Sequence, residues 1–413
     1  MYFATIIFII TYILISLGEN SPRKLDRPTA TLLGAVLMVM AGALTRSEAV
    51  ASLDLSTLSV LFGMMVLLAI LMQSGLPTWL ALKALKHCGT PQRLLAFVVF
   101  TSGITSAVLL NDTVCLLGTP LLLEVTELAA FPAIPFLLAL ATSANIGSVM
   151  TLTGNPQNII IGHNSGWSWS GFALRMVPIG IICLVVNWLL LKMLYRKELK
   201  ATHSIGHKIE LHHMQVQNRL AFRSVITLIG LMLAFLAGAP LDFAAVSAAT
   251  ILLVWANRPP RMALESVDWS LLLFFSGLFV VVAGFVKENS GVIDLWVTKL
   301  GTEVHLKNII QISFDSVIAS NIISNVPFVL IIAHWVKRMD NPQFVWLLLS
   351  LTTTFAGNLT LFGSVANVIV AQGSQQKVPL RFTDFLKAGI PITIVTVIVG
   401  VLLLWLLLIY GWI

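Results

Sequence analysis

Charge is scarce in this chain: Asp, Glu, Lys and Arg together make up 10% of 413 residues. A soluble domain carries roughly 25%, so a soluble globular fold is excluded. No loop of the Gly-x-x-x-x-Gly-Lys-Ser/Thr type occurs. Without that nucleotide-binding motif, energy has to come from ion gradients, or the flow is passive. Cysteine is rare as well. Cys88, Cys115 and Cys183 stand far apart and read as small apolar packing residues. The stretch Met1–Leu17 has neither a basic leading region nor a small-residue cleavage site, so it reads as a retained span. The apolar segments hold no nucleophile–base pair and no metal-ligand set, so neither an enzyme nor a metal site is expected.

What the chain has in excess is apolar length. Hydrophobic residues make up 57%, in runs such as Leu55–Met72, Ile179–Leu194 and Ile390–Tyr410. These runs are long enough to cross a bilayer, whereas a β-barrel would alternate in short segments. The sequence predicts an all-α polytopic membrane protein. Spans are expected near 2–18, 29–45, 56–73, 134–163, 176–195, 222–238, 241–257, 269–286, 343–372 and 390–410, with breaks inside 134–163 and 343–372. Two more apolar stretches, 93–128 and 306–336, bend at Asn111-Asp112 and at Asn325. Their arms look short for a full crossing, which predicts re-entrant hairpins that enter and leave on one face. Irregular backbone at that depth survives only where protein encloses it.

The chain reads itself twice. Leu110-Asn111-Asp112-Thr113 returns as Ser324-Asn325-Val326-Pro327, and Leu152-Thr153-Gly154-Asn155-Pro156-Gln157-Asn158 as Leu361-Phe362-Gly363-Ser364-Val365-Ala366-Asn367. Asp54-Leu55-Ser56 matches Asp268-Trp269-Ser270, and Gly63 matches Gly277, both at a shift of 214. Gly154 and Asn158 match Gly363 and Asn367 at 209, and Phe172 with Pro178 matches Phe385 with Pro391 at 213. The units are 1–197 and 222–413, joined by a polar linker at 198–221 that contains His203, His207, His212 and His213. The histidine spacing fits no ligand pattern.

Five crossings and one non-crossing hairpin per unit invert the second unit relative to the first. With the linker inside the cell, 17 of the 25 Lys and Arg fall on the cytoplasmic side and 7 outside, while Lys192 lies within a span. The positive-inside rule favours this orientation, with both termini outside. It also accounts for the net charge of +7 without a nucleic-acid partner. Hairpin one then enters from the cytoplasm and hairpin two from outside, so their tips can meet near the midplane.

A hairpin tip or a broken helix presents unpaired N–H groups and the positive end of a helix dipole, and unwound carbonyls there can coordinate a cation. The candidate binding residues are Asn111, Asp112, Thr113, Asn145, Gly147, Thr153, Gly154, Asn155, Asn158, Ser324, Asn325, Asn358, Thr360, Gly363, Ser364 and Asn367. Asp112 stands out, because a carboxylate at mid-membrane needs a reason. It can carry a proton or sodium, or cap the second hairpin arm. The matching position in the other unit is Val326, so acid-based coupling would be asymmetric. Asp315 is a second coupling candidate. Glu124 and Glu127 read as solvated, and Asp54 and Asp268 as helix N-caps. No Lys or Arg flanks either motif, which favours a cation, a monoanion or a weak oxyacid over a divalent anion.

These motifs and the repeat resemble the ion transporter superfamily of arsenite permeases, sodium/proton antiporters and divalent anion/sodium symporters. Asn111-Asp112-Thr113-Val114-Cys115-Leu116-Leu117-Gly118-Thr119-Pro120 resembles the arsenite-permease form of the first hairpin. Ser143-Ala144-Asn145-Ile146-Gly147-Ser148, with Thr153 to Asn158, is similar to plant silicic-acid efflux carriers and their bacterial relatives. The resemblance implies a homodimeric, elevator-type carrier in the bacterial cytoplasmic (inner) membrane, bounded by lipid. Its cargo would be a small inorganic oxyacid or oxyanion of the silicic acid or arsenite type, coupled to H+ or Na+ and needing no other cofactor. A sodium/proton antiporter and a sodium-coupled dicarboxylate or sulfate symporter are the alternatives. Symporters of this group use Ser-Asn-Thr at each tip; neither tip here keeps it.

Overall fold

Every apolar run of the sequence becomes helix, and no strand occurs among the described residues. The computed structural model describes residues 3–17, 25–200, 216–300 and 303–413. The first half holds α1 (Phe3–Leu17), α2 (Arg27–Met40), α3 (Arg46–Ala51), α4 (Leu55–Gln73), α5 (Leu76–Cys88), α6 (Pro91–Val108), α7 (Asn111–Leu128), α8 (Ala133–Ser148), α9 (Pro156–Ser165) and α10 (Trp169–Leu194). The second holds α11 (Asn218–Leu236), α12 (Leu241–Trp255), α13 (Pro260–Glu265), α14 (Trp269–Leu300), α15 (Leu306–Ile323), α16 (Asn325–Val336), α17 (Pro342–Ala356), α18 (Val365–Ser374) and α19 (Phe382–Ile409). The sequence shifts map these elements onto each other in order, with α4 and α5 together matching the single helix α14.

The two halves interlock. α4 packs on α12 and α2 on α14, while α7 packs on α18 and α16 on α9. The paired glycines show why this is possible. A Cβ on Gly63 would lie 2.6 Å from the Ala245 backbone, and one on Gly277 would lie 2.7 Å from the Thr31 backbone. Ala245 and Thr31 are themselves 214 apart, so one contact repeats with the halves exchanged. Asp54 and Asp268 cap α4 and α14 as expected, accepting from Thr57 N (3.0 Å) and Leu271 N (3.0 Å). The three cysteines are buried.

Several boundaries differ from expectation. Gly75, with φ 73°, ends α4, but its match Asn289 stays helical and donates to Phe285 O (2.9 Å). α14 therefore runs on to Leu300, past the expected end at 286. α10 and α19 begin several residues early and continue through Pro178 and Pro391. The hairpin arms α6, α7 and α15 have 18 residues each, about 27 Å of helix, and are not short; only α16, with 12 residues, is. Hydroxyls within α6 and α15 bond back into their own helices: Ser102 donates to Val98 O, and Ser313 and Ser316 donate to Ile309 O and Ile312 O. At the linker, α11 already begins at Asn218. Its four histidines lie outside the described residues.

Among the described residues, five helices, α4, α10, α11, α14 and α19, are long and apolar enough to cross a membrane, and six shorter apolar helices accompany them. Their outward faces are apolar, as at Ile6, Val36, Leu233 and Ile398. The protein is an all-α integral membrane protein.

Candidate functional site

Both helix breaks are held open by the same device. Asn158 donates through Nδ2 to Ser148 O (3.2 Å) and Thr151 O (2.9 Å). Asn367 donates through Nδ2 to Gly357 O (2.7 Å) and Thr360 O (3.0 Å). In each case the carbonyls lie ten and seven residues back. Ser148 O and Gly357 O stand where α8 and α17 stop and have lost their helical donors, while Thr151 O and Thr360 O belong to the unwound links, so each amide ties a helix end to its link. Each break is also tied to its hairpin. Thr151 Oγ1 donates to Ala107 O (2.5 Å), and Thr360 Oγ1 to Asn321 Oδ1 (3.0 Å). Asn111 N donates to Gly154 O (3.0 Å). Gly147 lies against the Gly103 backbone, Gly154 against Ser148 O, and Gly363 against Asn321.

The hairpin tips differ. Leu109 and Leu110 form an extended link between α6 and α7. In the second hairpin Ser324 alone ends α15 and starts α16, at φ 69° and ψ 161°. A non-glycine residue in that region is strained.

Asn145 joins the parts. Its Nδ2 donates to Asn358 Oδ1 (2.9 Å) and Asn367 Oδ1 (3.0 Å), and its Oδ1 accepts from Asn111 Nδ2 (3.0 Å) and Ser364 Oγ (3.0 Å). The orientation of every amide follows from this chain. Asn367 Nδ2 is already committed to two carbonyls, so its Oδ1 must accept from Asn145. Asn145 Oδ1 then faces Asn111, which must donate. Asn111 Oδ1 is left over, buried and without a hydrogen-bond partner.

A cavity of about 20 Å3 lies where four helix N-termini converge, those of α7, α9, α16 and α18. Its lining includes Asn111, Asp112, Gln157, Ser324, Asn325 and Ser364, closed by Phe274, Phe275 and Leu278 of α14. That volume suits one water-sized group. A second cavity, a vestibule of about 370 Å3, is lined by α4, α7, the start of α14 and Ile369 of α18. Asp112 lines both cavities. It is 6% exposed, and its carboxylate faces the backbone N–H of Ala366 in the first turn of α18.

Of the sequence candidates, the fold brings Asn111, Asp112, Ser324, Asn325 and Ser364 to the central cavity and Thr113 to the vestibule. Asn145, Asn155, Asn158, Asn358, Asn367 and Thr360 stand behind it as supports. Asn155 caps α9 by accepting from Asn158 N (2.8 Å), and Asn358 donates to Thr142 O (3.3 Å). Thr153 turns away to accept from Trp169 Nε1 (3.2 Å). Asp315 sits mid-way along α15, outside both linings. Glu127 is solvated and pairs with Lys377 (2.6 Å).

Three features differ from the sequence reading. Asp112 does not cap its own helix: the α7 N-cap is Leu110, with no side-chain bond, and the Asp112 carboxylate faces α18 instead. Arg27 lies within electrostatic reach of Asp112, although no cation flanks the motif in sequence. Gln157 faces the cavity and donates to Thr354 Oγ1 (3.1 Å). Its place in the Gly-Asn-Pro-Gln-Asn motif was the available signal; Phe274 and Phe275 offered none.

Among the described residues, no group of three or more His, Cys, Asp or Glu is gathered. The Asp112 carboxylate, Asn111 Oδ1 and the cavity hydroxyls are oxygens that could hold a small cation. The helix N-termini could hold an oxyanion.

The family profile described as citrate transporter (CitMHS) matches residues 6–354. The chain is 31% identical to the silicon efflux transporter LSI3 of Oryza sativa subsp. japonica, over 91% of this chain and 92% of that protein. It is 30% identical to a 46 kDa membrane protein of Mycobacterium leprae, over 98% of both. Among solved structures, the Alcanivorax borkumensis YdaH transporter is similar in fold. The TM-score is 0.55 and the identity 14%, covering 100% of this chain and 98% of that one.

Proposed function

Because the chain belongs to the citrate transporter family, we propose that it is a secondary active transporter of a small inorganic oxyacid of the silicic acid or arsenite type. The acid moves outward against inward proton or sodium flow. The observation that carries this reading is the make-up of the central cavity. Helix N-termini supply donors for oxygen atoms, while Asp112 and the unpartnered Asn111 Oδ1 demand donors in return. A hydroxylated acid that is mostly neutral offers both; a fully ionised oxyanion offers no proton to either acceptor. A cavity of about 20 Å3 suits one oxygen at a time. The relative named as a silicon efflux transporter supports the same cargo class.

In this reading Asp112 is the coupling acid. Helices α1–α5 and α11–α14 form a scaffold within a homodimer, and α6–α10 with α15–α19 move as the transport part. The linker lies inside and both termini outside, in a bacterial cytoplasmic membrane. Gln217 N donates to Ser74 O (2.9 Å), which ties the end of the linker to the face where α4 ends and the vestibule opens.

A second reading, a sodium-coupled carboxylate or sulfate symporter, draws on Arg27 within electrostatic reach of Asp112 and on the family description. A sodium/proton antiporter is the third. Purified protein in liposomes with an internal pH dye separates them, under imposed gradients of arsenite, silicic acid, sodium, sulfate or succinate. Proton movement driven by an oxyacid gradient is expected, and Asp112→Asn should abolish it while the protein stays folded. Proton movement with sodium alone would make the protein an antiporter. Response only to sulfate or succinate with sodium would select the second reading.

A further inference from the structure

The geometry points to Asp268 as the acid that passes protons between the linker-side solvent and Asp112. This inference rests on the proton-coupled reading above.

The vestibule begins at Gln73, Ser266 and the exposed Asp268, and ends at Thr113 and the buried Asp112. The rest of its wall is apolar, and among the described residues Asp112 and Asp268 are the only ionisable groups in its lining. Among the described residues, a proton bound for Asp112 from this side has no other side-chain carrier in the lining. Asp268 is close enough for its charge to be felt at Asp112, and a cavity of about 370 Å3 holds the few waters needed to bridge them. The transfer balances simply. Asp268 takes a proton from solvent, passes it through water to the Asp112 carboxylate, and is left ionised for the next.

The other groups facing Asp112 do not compete for this role. Arg27, at the start of α2, is permanently protonated. Cys115, one turn along α7, is fully buried and outside the vestibule lining. From α18 comes only the Ala366 N–H, which carries no exchangeable charge.

Asp268 also caps α14 through Leu271 N (3.0 Å), so the cap and the relay have to be separated. Its repeat mate Asp54 caps α4 in the same way, through Thr57 N (3.0 Å), and lines neither cavity. Asn is as good an N-cap as Asp but carries no proton. Asp268→Asn therefore keeps the cap and removes the acid, whereas Asp268→Glu keeps an acid and weakens the cap.

The experiment measures initial proton flux against pH in liposomes, driven by an arsenite or silicic acid gradient. It compares the unaltered protein with Asp112→Asn, Asp268→Asn, Asp268→Glu and Asp54→Asn, and records thermal unfolding of each. Asp268→Asn is expected to slow flux about tenfold or more, most at alkaline pH where protons are scarce, with unchanged unfolding. Asp268→Glu should keep most of the flux, and Asp54→Asn all of it. Full flux in Asp268→Asn, or an equal loss in Asp54→Asn, would overturn the relay. No proton flux in the unaltered protein would instead overturn the proton-coupled reading on which it rests.

Discussion

Asn158 and Asn367 make the same pair of hydrogen bonds in the two halves of the molecule, each to the carbonyls ten and seven residues before it. Both side chains are fully buried. Their oxygens are also occupied, by Ser350 Oγ (2.6 Å) and by Asn145 Nδ2 (3.0 Å). With every donor and acceptor committed, neither amide is free to hold cargo.

Asn158→Ala and Asn367→Ala should therefore act on stability. Asn158→Ala leaves Ser148 O and Ser350 Oγ without a partner, and Asn367→Ala leaves Gly357 O, at a cost of about 1–3 kcal/mol for each group unpaired. Thermal unfolding in detergent should fall clearly for both, with the substrate KM of the folded fraction little changed. A raised KM at unchanged unfolding temperature would contradict the clamp role.

Asn111 should behave in the opposite way. It lines the cavity, and its Oδ1 has no protein partner, so Asn111→Ala removes an acceptor left open to the cargo. Transport KM should rise about 5- to 100-fold, the equivalent of one hydrogen bond of ~1–3 kcal/mol. Asn145 Oδ1 keeps its bond from Ser364 (3.0 Å), so unfolding should shift little. Titrating transport rate against substrate, beside a melting curve, checks both halves of this expectation.

Ser324 allows backbone and side chain to be tested separately. Its φ of 69° is a region that favours glycine, with a strain of about 1–3 kcal/mol. Ser324→Gly should raise the unfolding temperature while weakening transport, because Oγ leaves the cavity lining. Ser324→Val should unfold earlier than the unaltered protein. If Ser324→Gly melted lower, the strain at the tip would be refuted.

The two halves also meet where Glu48 of the short helix α3 pairs with Lys287 of α14 (2.6 Å). The Lys287 hydrogen bond, then those from Thr45, push the Glu48 carboxyl down to about 2 from its ordinary 4.5. A lowered carboxylate adds stability that is present above the unfolded pKa and lost as pH falls through the folded one. The contribution should be whole above about pH 4.5 and vanish towards pH 2. Glu48→Gln should flatten the acid limb of a melting-temperature-against-pH curve in that window. The effect should be small, since the pair is exposed, and an unchanged acid limb would rule the contribution out.

Much of the architecture was legible from local pattern. α13 and α18 begin and end where a shift of 214 or 209 puts the ends of α3 and α9. Glycine and amides inside apolar runs marked both breaks, because no helix end can lie in lipid unsatisfied. The length of α14 was not legible, since Asn289 and Gly75 differ in a preference that only packing resolves. The division of labour among the amides was hidden too. Asn111 and Asn158 look alike in sequence, and which one faces the cavity depends on partners such as Asn145 and Ser350, 34 and 192 residues away.

The sequence by itself determined that this chain is helical, built for a membrane, and doubled, with two hairpins and two broken helices. Those properties follow from hydropathy and spacing, which are written residue by residue along the chain. Only the tertiary structure decided that four helix N-termini share one cavity, that Arg27 and Asp268 lie within reach of Asp112, and that Phe274 and Phe275 close the site. Charge and hydrogen-bond partnership depend on distance in space. In this fold the distances are set by the interlocking of one half against the other, through contacts such as Gly63 on Ala245 and Gly277 on Thr31.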